Sequence, residues 1–383
     1  MVYLAHRTQL SAGEESTAGT VASTSVTQFG MVASVDFPDP VKEWKQYWSF
    51  GSRDYNVKAE GKNTFEGSFD CVLQNPTMLF YGFGKETCTA TVSGTGQTTT
   101  TAVMSIGDTT ATLTSAAGYT ANLYVQIGAS GEKEIRKVSS LSGSVIILDQ
   151  GVRFAHASGV TASLQTGVVY THTLAVDNTL KSFTLEAAQL DDTNFVRKFT
   201  GTYIDTMDIG CEEEGELMVS YGMKALGIEA SGTSASAVSV LTTVPYMFDE
   251  GAITIFGGAI ARITDFKVSI NNKLKPKWYI QSTSARYPYE LNTGHREISI
   301  TVNAVPNAKT WWDKLKTTPT ATTFTAVFTR GASDTITITA TDVNIEEAPH
   351  PFNEENEQTV QMTFVAKTCT ITGVDALPYY KAV

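Results

Sequence analysis

The side chains able to do chemistry are few and scattered. Five histidines stand far apart, at His6, His156, His172, His295 and His350, and none lies in an HExxH-like pair. No GxSxG elbow, Walker loop or GxGxxG run ahead of a helix occurs. A Ser/His/Asp triad can be assembled from distant positions, but nothing in the spacing announces one. The chain therefore reads as a non-enzyme with no cofactor. The four cysteines, Cys71, Cys88, Cys211 and Cys369, form no CxxC and no paired spacing. They read as small buried side chains of a reducing compartment.

Carboxylates do cluster, in CEEEGE (Glu212, Glu213, Glu214, Glu216) and in NEENE (Glu354, Glu355, Glu357). Two solvated turns, a negative surface facing an enclosed channel, and a calcium site are the three readings. The last lacks the glycine-anchored ligand spacing of a calcium loop. Net charge is −11 and the sequence pI about 5.0, so bulk charge will not bind DNA phosphates. Trp44, Trp48, Trp278, Trp311 and Trp312 read as core and interface anchors more readily than as sugar platforms.

The elements that must position these residues are strands. The 383 residues suffice for two or three domains, and 42% hydrophobic residues suffice for their cores. No apolar run could span a bilayer. The opening MVYLAHRTQLSAGEESTAGT lacks a signal-peptide layout, which argues for folding in a cytoplasm. Period-two alternation recurs at Phe65, Gly67, Phe69, Cys71, at Ile298, Ile300, Val302, Ala304, and at Ile336, Ile338, Ala340. Such runs, split by Gly, Asn, Asp and Ser turns, predict an all-β chain. Three short helices are expected, at Val41–Trp48, Pro76–Phe83 and Ala308–Lys316.

The two halves resemble each other. A gapless shift of 233 lays Ser49–Val72 on Ser282–Val305, with Ser49, Arg53, Gly61 and Val72 meeting Ser282, Arg286, Gly294 and Val305. The expected helices coincide as well, Met78 and Leu79 falling on Trp311 and Trp312. Upstream, VASVDF matches KVSINN after a slip. TYIDTMDIG resembles TATDVNIEE with Asp205 on Asp342, and after a small indel Gly215–Gly222 lies on Asn356–Thr363. A gene duplication explains this pattern. One copy is interrupted by Thr/Ser/Gly-rich, aromatic-poor sequence that reads as a small β-sandwich or barrel set into a loop. The expected organisation is an N-terminal arm (1–25), a discontinuous first domain (26–85 and 172–232), an insert (86–171), a linker (233–249), a second domain (250–370) and a C-terminal tail (371–383).

These motifs, in this order, resemble the tail tube (major tail) proteins of long-tailed, siphovirus-type phages, in the class with a duplicated tube domain. NTFEGSFDCVLQNPTMLFYGFG is similar to the family's strand ending in a short helix. FTGTYIDTMDIGCEEEGELMVSYGMKA is similar to its hairpin with an acidic turn. ITDFKVSINNKLKPKWYIQSTSARYPYELNTGHREISITV is similar to the opening of its second tube domain, with Asn271-Asn272 and Gly294-His295-Arg296. LYVQIGASGEKEIRKVSSLSGSVIILDQGVRFAHASGV looks like a small β module of virion proteins. The resemblance implies two tandem β-sandwiches, each with a short helix, in homotrimeric rings stacked into a tube. It further implies enclosure of a tape-measure protein, tail tip and tail terminator partners, viral DNA passing without sequence-specific binding, no membrane, and assembly in the host cytoplasm. Tubes grow through heterologous contacts that close around the ring and stay open along the axis. The alternative is a secreted or surface β-sandwich adhesin or carbohydrate-binding protein, which the missing signal peptide disfavours.

Overall fold

Period-two alternation is realised as antiparallel strands almost throughout the computed structural model. It describes residues 8–22, 30–90, 93–128, 131–165, 169–190, 193–229, 232, 234–236, 238, 241–259, 262–280, 286–305, 313, 315–316, 322–331, 333–348 and 359–380. The first half opens with β1 (Thr8–Glu14), β2 (Met31–Asp36), β3 (Pro40–Tyr47), β4 (Val57–Val72), helix α1 (Leu79–Phe83) and β5 (Gly84–Ala90). A module of short strands follows: β6 (Ser93–Thr99), β7 (Thr110–Thr112), β8 (Tyr124–Ile127), β9 (Glu134–Ser142), β10 (Val145–Leu148) and β11 (Thr161–Gln165). The chain returns through β12 (Tyr170–Val176), β13 (Phe183–Gln189), β14 (Phe195–Cys211), β15 (Leu217–Lys224) and β16 (Gly227–Ile228). The second half holds β17 (Gly251–Ile255), β18 (Gly258–Ala259), β19 (Ile263–Asn271), β20 (Lys275–Lys277), β21 (Glu290–Asn292) and β22 (Glu297–Ala304). It ends with β23 (Thr322–Gly331), β24 (Asp334–Glu347), β25 (Val360–Val365) and β26 (Thr368–Asp375).

One front sheet runs in the order β2-β4-β15-β14-β19-β22-β25-β24. Behind it lie β1-β13-β14-β16 and β18-β17-β23-β24-β26-β12-β5. The long strands β14 and β24 belong to both layers. Apolar residues of the inner faces, such as Phe69, Tyr221, Met207, Val268, Ile300 and Phe364, are buried in one core shared by both halves. Full burial of each such side chain is worth about 1.5–3 kcal/mol, which fixes strand register.

The order of pairings in the first half recurs in the second, with β2, β4, β15, β14, β13 and β1 matched by β19, β22, β25, β24, β23 and β17. Irregularities recur too. The β2–β4 ladder slips between Val32 and Ser34, and the β19–β22 ladder slips between Ile263 and Asp265. Phe69 pairs with Tyr221 as Val302 pairs with Met362, which agrees with the shift of 233 on one strand and 141 on the other.

Elsewhere the registers differ from the sequence expectation. The offset of 141 holds along all of β14 as well, because Phe183↔Thr202 and Thr322↔Val343 bracket equivalent bulges. No indel intervenes, so Asp205 falls on Glu346 and Gly201 on Asp342. Val32 falls on Ile263, not on Lys267. Val41–Trp48 is no helix: β3 pairs with the first half of β4 from Pro40↔Phe65 to Tyr47↔Val57. The spacing of Trp44 and Trp48 imitates a helical face, but pairing across the hairpin satisfies the backbone instead. The expected Pro76–Phe83 helix is confined to α1, which is entirely buried and is ended by Gly84 at φ 93°. Of Ala308–Lys316, Asp313, Leu315 and Lys316 are helical, and the remainder, with Trp311 and Trp312, lies outside the described residues.

Two segments expected at the periphery are structural. Thr8–Glu14, inside the stretch read as an arm, pairs with β13 and buries Leu10 and Ala12. Beyond β26 in the expected tail, Tyr380 is fully buried.

The six-stranded module, β6-β11-β8-β9-β10-β7, has its own core around Met104, Leu113, Val125, Ile127, Val138 and Ile146. Its stalk strands β5 and β12 pair with each other, and β12 also pairs with β26 of the second half.

Candidate assembly surfaces

Alternation along the front sheet sends one set of side chains to the core and the other to an uncovered face. On β4 the core takes Phe65, Phe69 and Cys71, so Glu66, Ser68 and Asp70 face out. Equivalent alternation puts Asp208 of β14, Asp265 of β19 and Glu297 of β22 on the same face. The Ser34 hydroxyl donates to Asp70 at 2.5 Å, which places β2 in the same surface. Lys224 and Lys267 also lie on this face, and each is ion-paired, to Asp205 at 2.9 Å and to Asp208 at 2.8 Å. The face is polar, rich in small residues and net negative.

Inside the chain, β14 meets β19 over six residue pairs, from Thr206↔Asn271 to Cys211↔Phe266. Asn272 seals this joint: its side-chain amide donates to the carbonyls of Gly82 and Ile204, and its Oδ1 accepts from Arg296 Nε at 2.9 Å. The Asn-Asn and Gly-His-Arg motifs singled out in the sequence thus meet in space. At the two ends of the sheet, the outer edges of β2 and of β24 past Val343 have no strand partner among the described residues. Pro38 and Pro40 close off the β2 edge.

Glu212, Glu213 and Glu214 are exposed in the β14–β15 turn, with Glu216 half-buried beside them. They sit at the end of the sheet and not on its uncovered face. Glu354, Glu355 and Glu357 lie outside the described residues. Among the described residues, no group of three or more His, Cys, Asp or Glu could hold a metal ion. Trp44 and Trp48 are 49% and 60% exposed on the β3–β4 hairpin, away from the core. Trp278 is half-buried. Its indole N–H donates to the Arg286 carbonyl at 3.2 Å, and Lys62 of β4 stacks on its ring.

All four cysteines are buried and unbridged. Burial pushes the thiols of Cys71 and Cys369 up to about 12, so they are not nucleophiles at neutral pH.

A buried polar junction, invisible in the sequence, fixes the module to the body. His172 Nδ1 lies 2.8 Å from Glu86 Oε1, and Nε2 lies 2.6 Å from the Leu377 carbonyl. Both partners accept, so both ring nitrogens donate and the ring is an imidazolium. Burial opposes that charge, but Glu86 and Asp375 outweigh it and raise the His172 pKa. Burial likewise disfavours the Glu86 carboxylate, yet Arg153 and His172 hold its pKa below the usual value. Arg153 belongs to the module and reaches Glu86, Glu14 of β1 and the Tyr380 carbonyl, while stacking on Phe80 of α1. The Tyr380 ring stacks on His172 at 3.9 Å.

An antiparallel front sheet with one naked polar face, two free edges and no catalytic constellation fits a building block better than a catalyst. Residues 5–366 match the phage tail tube protein family. The chain belongs to that family. No curated protein matches it. A tail tube protein is a structural component of the virion tail that assembles with copies of itself, and its family is not a class of enzymes. No helix of this tube protein, among the described residues, is long and apolar enough to cross a membrane.

Proposed function

We propose that three copies of this chain close a ring, and that stacked rings form the tail tube of a siphovirus-type phage. The two halves are then tandem copies of one tube domain, descended from a duplication. The observation that carries this reading is the recurrence of the whole pairing order, with the β14–β19 joint between the halves. Since β24 corresponds to β14 and β2 to β19, the free β24 edge of one chain corresponds to the strand that the β2 edge of the next chain would meet. Each chain supplies an eight-stranded arc and three arcs complete the circle, with true threefold and approximate sixfold symmetry. Linking the copies in one chain makes half of the joints intramolecular, at high effective concentration.

In this arrangement the uncovered face lines the channel. Carboxylates at Asp36, Glu66, Asp70, Asp208, Asp265 and Glu297 repel DNA phosphates, so a passing duplex is guided without being held. The same channel encloses a tape-measure protein during assembly in the host cytoplasm, and the tube ends meet tail tip and tail terminator proteins. The module, attached through β5 and β12 on the back layer, decorates the outside. Cryo-EM of assembled tubes tests the reading. Three chains and three outward modules per ring are expected; six chains per ring would overturn it.

A further inference from the structure

The β3–β4 hairpin is the least satisfied part of the described molecule. Trp44, Tyr47, Trp48, Phe50, Tyr55 and Val57 are all substantially exposed on it, and Phe50 at its tip is fully so. Tightly grouped exposed aromatics of this kind mark a contact surface, since scattered single residues are the norm elsewhere. Between Pro40 and Lys62 the chain carries five cations, Lys42, Lys45, Arg53, Lys58 and Lys62, against three carboxylates. The hairpin is thus locally basic in a protein of net charge −11.

The opposite end of the same strand has the complementary character. β4 runs from Val57, in the hairpin, to Val72, a distance on the order of 50 Å at ~3.3 Å per residue. At the Val72 end the backbone N–H of Leu73 donates to the Leu217 carbonyl, beside the turn that exposes Glu212, Glu213 and Glu214. Next to that turn lies a half-open depression of about 450 Å³, walled by Cys211, Phe248, Ile253, Ile263, Phe266 and Phe328, with Asp249 at its rim. An aromatic, basic projection at one end and an apolar hollow beside an acidic turn at the other suit head-to-tail stacking, the heterologous contact that propagates without closing.

Building on the tube reading above, we infer that the β3–β4 hairpin of one chain docks into the acidic end of a second copy in the next ring. Phe50 and Trp48 enter the hollow walled by Phe248, Phe266 and Phe328, and Lys45, Arg53 and Lys58 face Glu212, Glu213 and Glu214. The occupant is a second copy of this chain, because both halves of the contact are present on one molecule and point in opposite directions. Docking removes the exposed aromatics from water, and the charges set orientation and encounter rate.

Four variants test this, each first shown to keep the wild-type melting profile. The first is Trp48→Ser with Phe50→Ser. The second reverses the hairpin, Lys45→Glu, Arg53→Glu and Lys58→Glu. The third reverses the turn, Glu212→Lys, Glu213→Lys and Glu214→Lys, and the fourth combines both reversals. Tube length is read by negative-stain imaging and ring formation by mass photometry. The first three variants should form rings while shortening tubes at least roughly tenfold. The fourth, with complementarity restored in the opposite sense, should recover length. Full-length tubes from either single reversal, or no recovery in the combined chain, overturn the contact while leaving the ring reading intact. Wild-type chains that form neither rings nor tubes overturn both.

Discussion

Gly201 and Asp342 occupy the same corner of two different strands. Each sits where its long strand, β14 or β24, leaves one layer for the other, and each has a positive φ, 60° and 52° respectively. A left-handed residue is what turns the strand there, and glycine adopts that conformation without strain while aspartate tolerates it. A methyl group at Gly201 would also come within 2.6 Å of Leu226. Gly201→Ala should therefore cost about 1–3 kcal/mol. Asp342→Gly should change stability by less than about 1 kcal/mol. Denaturant unfolding of the two variants checks the asymmetry.

Arg153 holds two carboxylates that water barely reaches. Arg153→Met should cost about 3–5 kcal/mol, because Glu14 and Glu86 are left close together without their shared cation. Adding Glu14→Gln should recover part of that loss. Differential scanning calorimetry of the single and double variants reads the difference, and a near-neutral single variant would show that the module is not fixed through this residue. For the same reason, excising 86–171 and joining the ends removes Glu86 and Arg153 but strands His172 and Tyr380 in a half-built site. An excision that spares β5 and β12 and carries Glu86→Gln should assemble better.

The junction makes stability depend on pH in a definite sense. His172 has a raised pKa, so its contribution is complete below the ordinary imidazole value of 6.5 and is lost as pH climbs through the raised one. Glu86 has a lowered pKa, so its contribution is complete above the ordinary carboxylate value of 4.5 and is lost as pH falls through the lowered one. The pair contributes most between those two ordinary values. His172→Gln should flatten the alkaline limb of a Tm–pH profile and leave the acid limb in place. An unchanged alkaline limb would assign it to another group.

Charge on the uncovered face should govern passage of DNA. Glu66→Lys with Glu297→Lys leaves the core and both free edges untouched, so tubes should still assemble. DNA release triggered from such particles should slow, since a cationic wall attracts phosphates. Release at the wild-type rate would place this face away from the channel. Reversing Glu212, Glu213 and Glu214 alone, at the end of the sheet, should affect release less than tube growth.

The sequence by itself determined the all-β class, the separate module, and the likeness of the two halves around Gly61 and Gly294. It could do so because strand alternation and turn glycines are local signals with a fixed period. Where identity was the guide, it misled. Asp205 was set on Asp342, yet the ladder puts Gly201 there, because the corner selects a left-handed backbone and not a side chain. Trp44 and Trp48 suggested a helix because they are four residues apart, and only the partner strand, ten or more residues downstream, decided otherwise. The Arg153–Glu86–His172 junction left no trace in the sequence, since Glu14, Glu86, Arg153, His172 and Tyr380 converge from five separate segments. Tertiary structure alone decided that junction, the continuity of the front sheet through β14 and β19, and which edges and which face stay open. These depend on which strands meet across long stretches of chain, and burial of a shared core settles that choice where local pattern is silent.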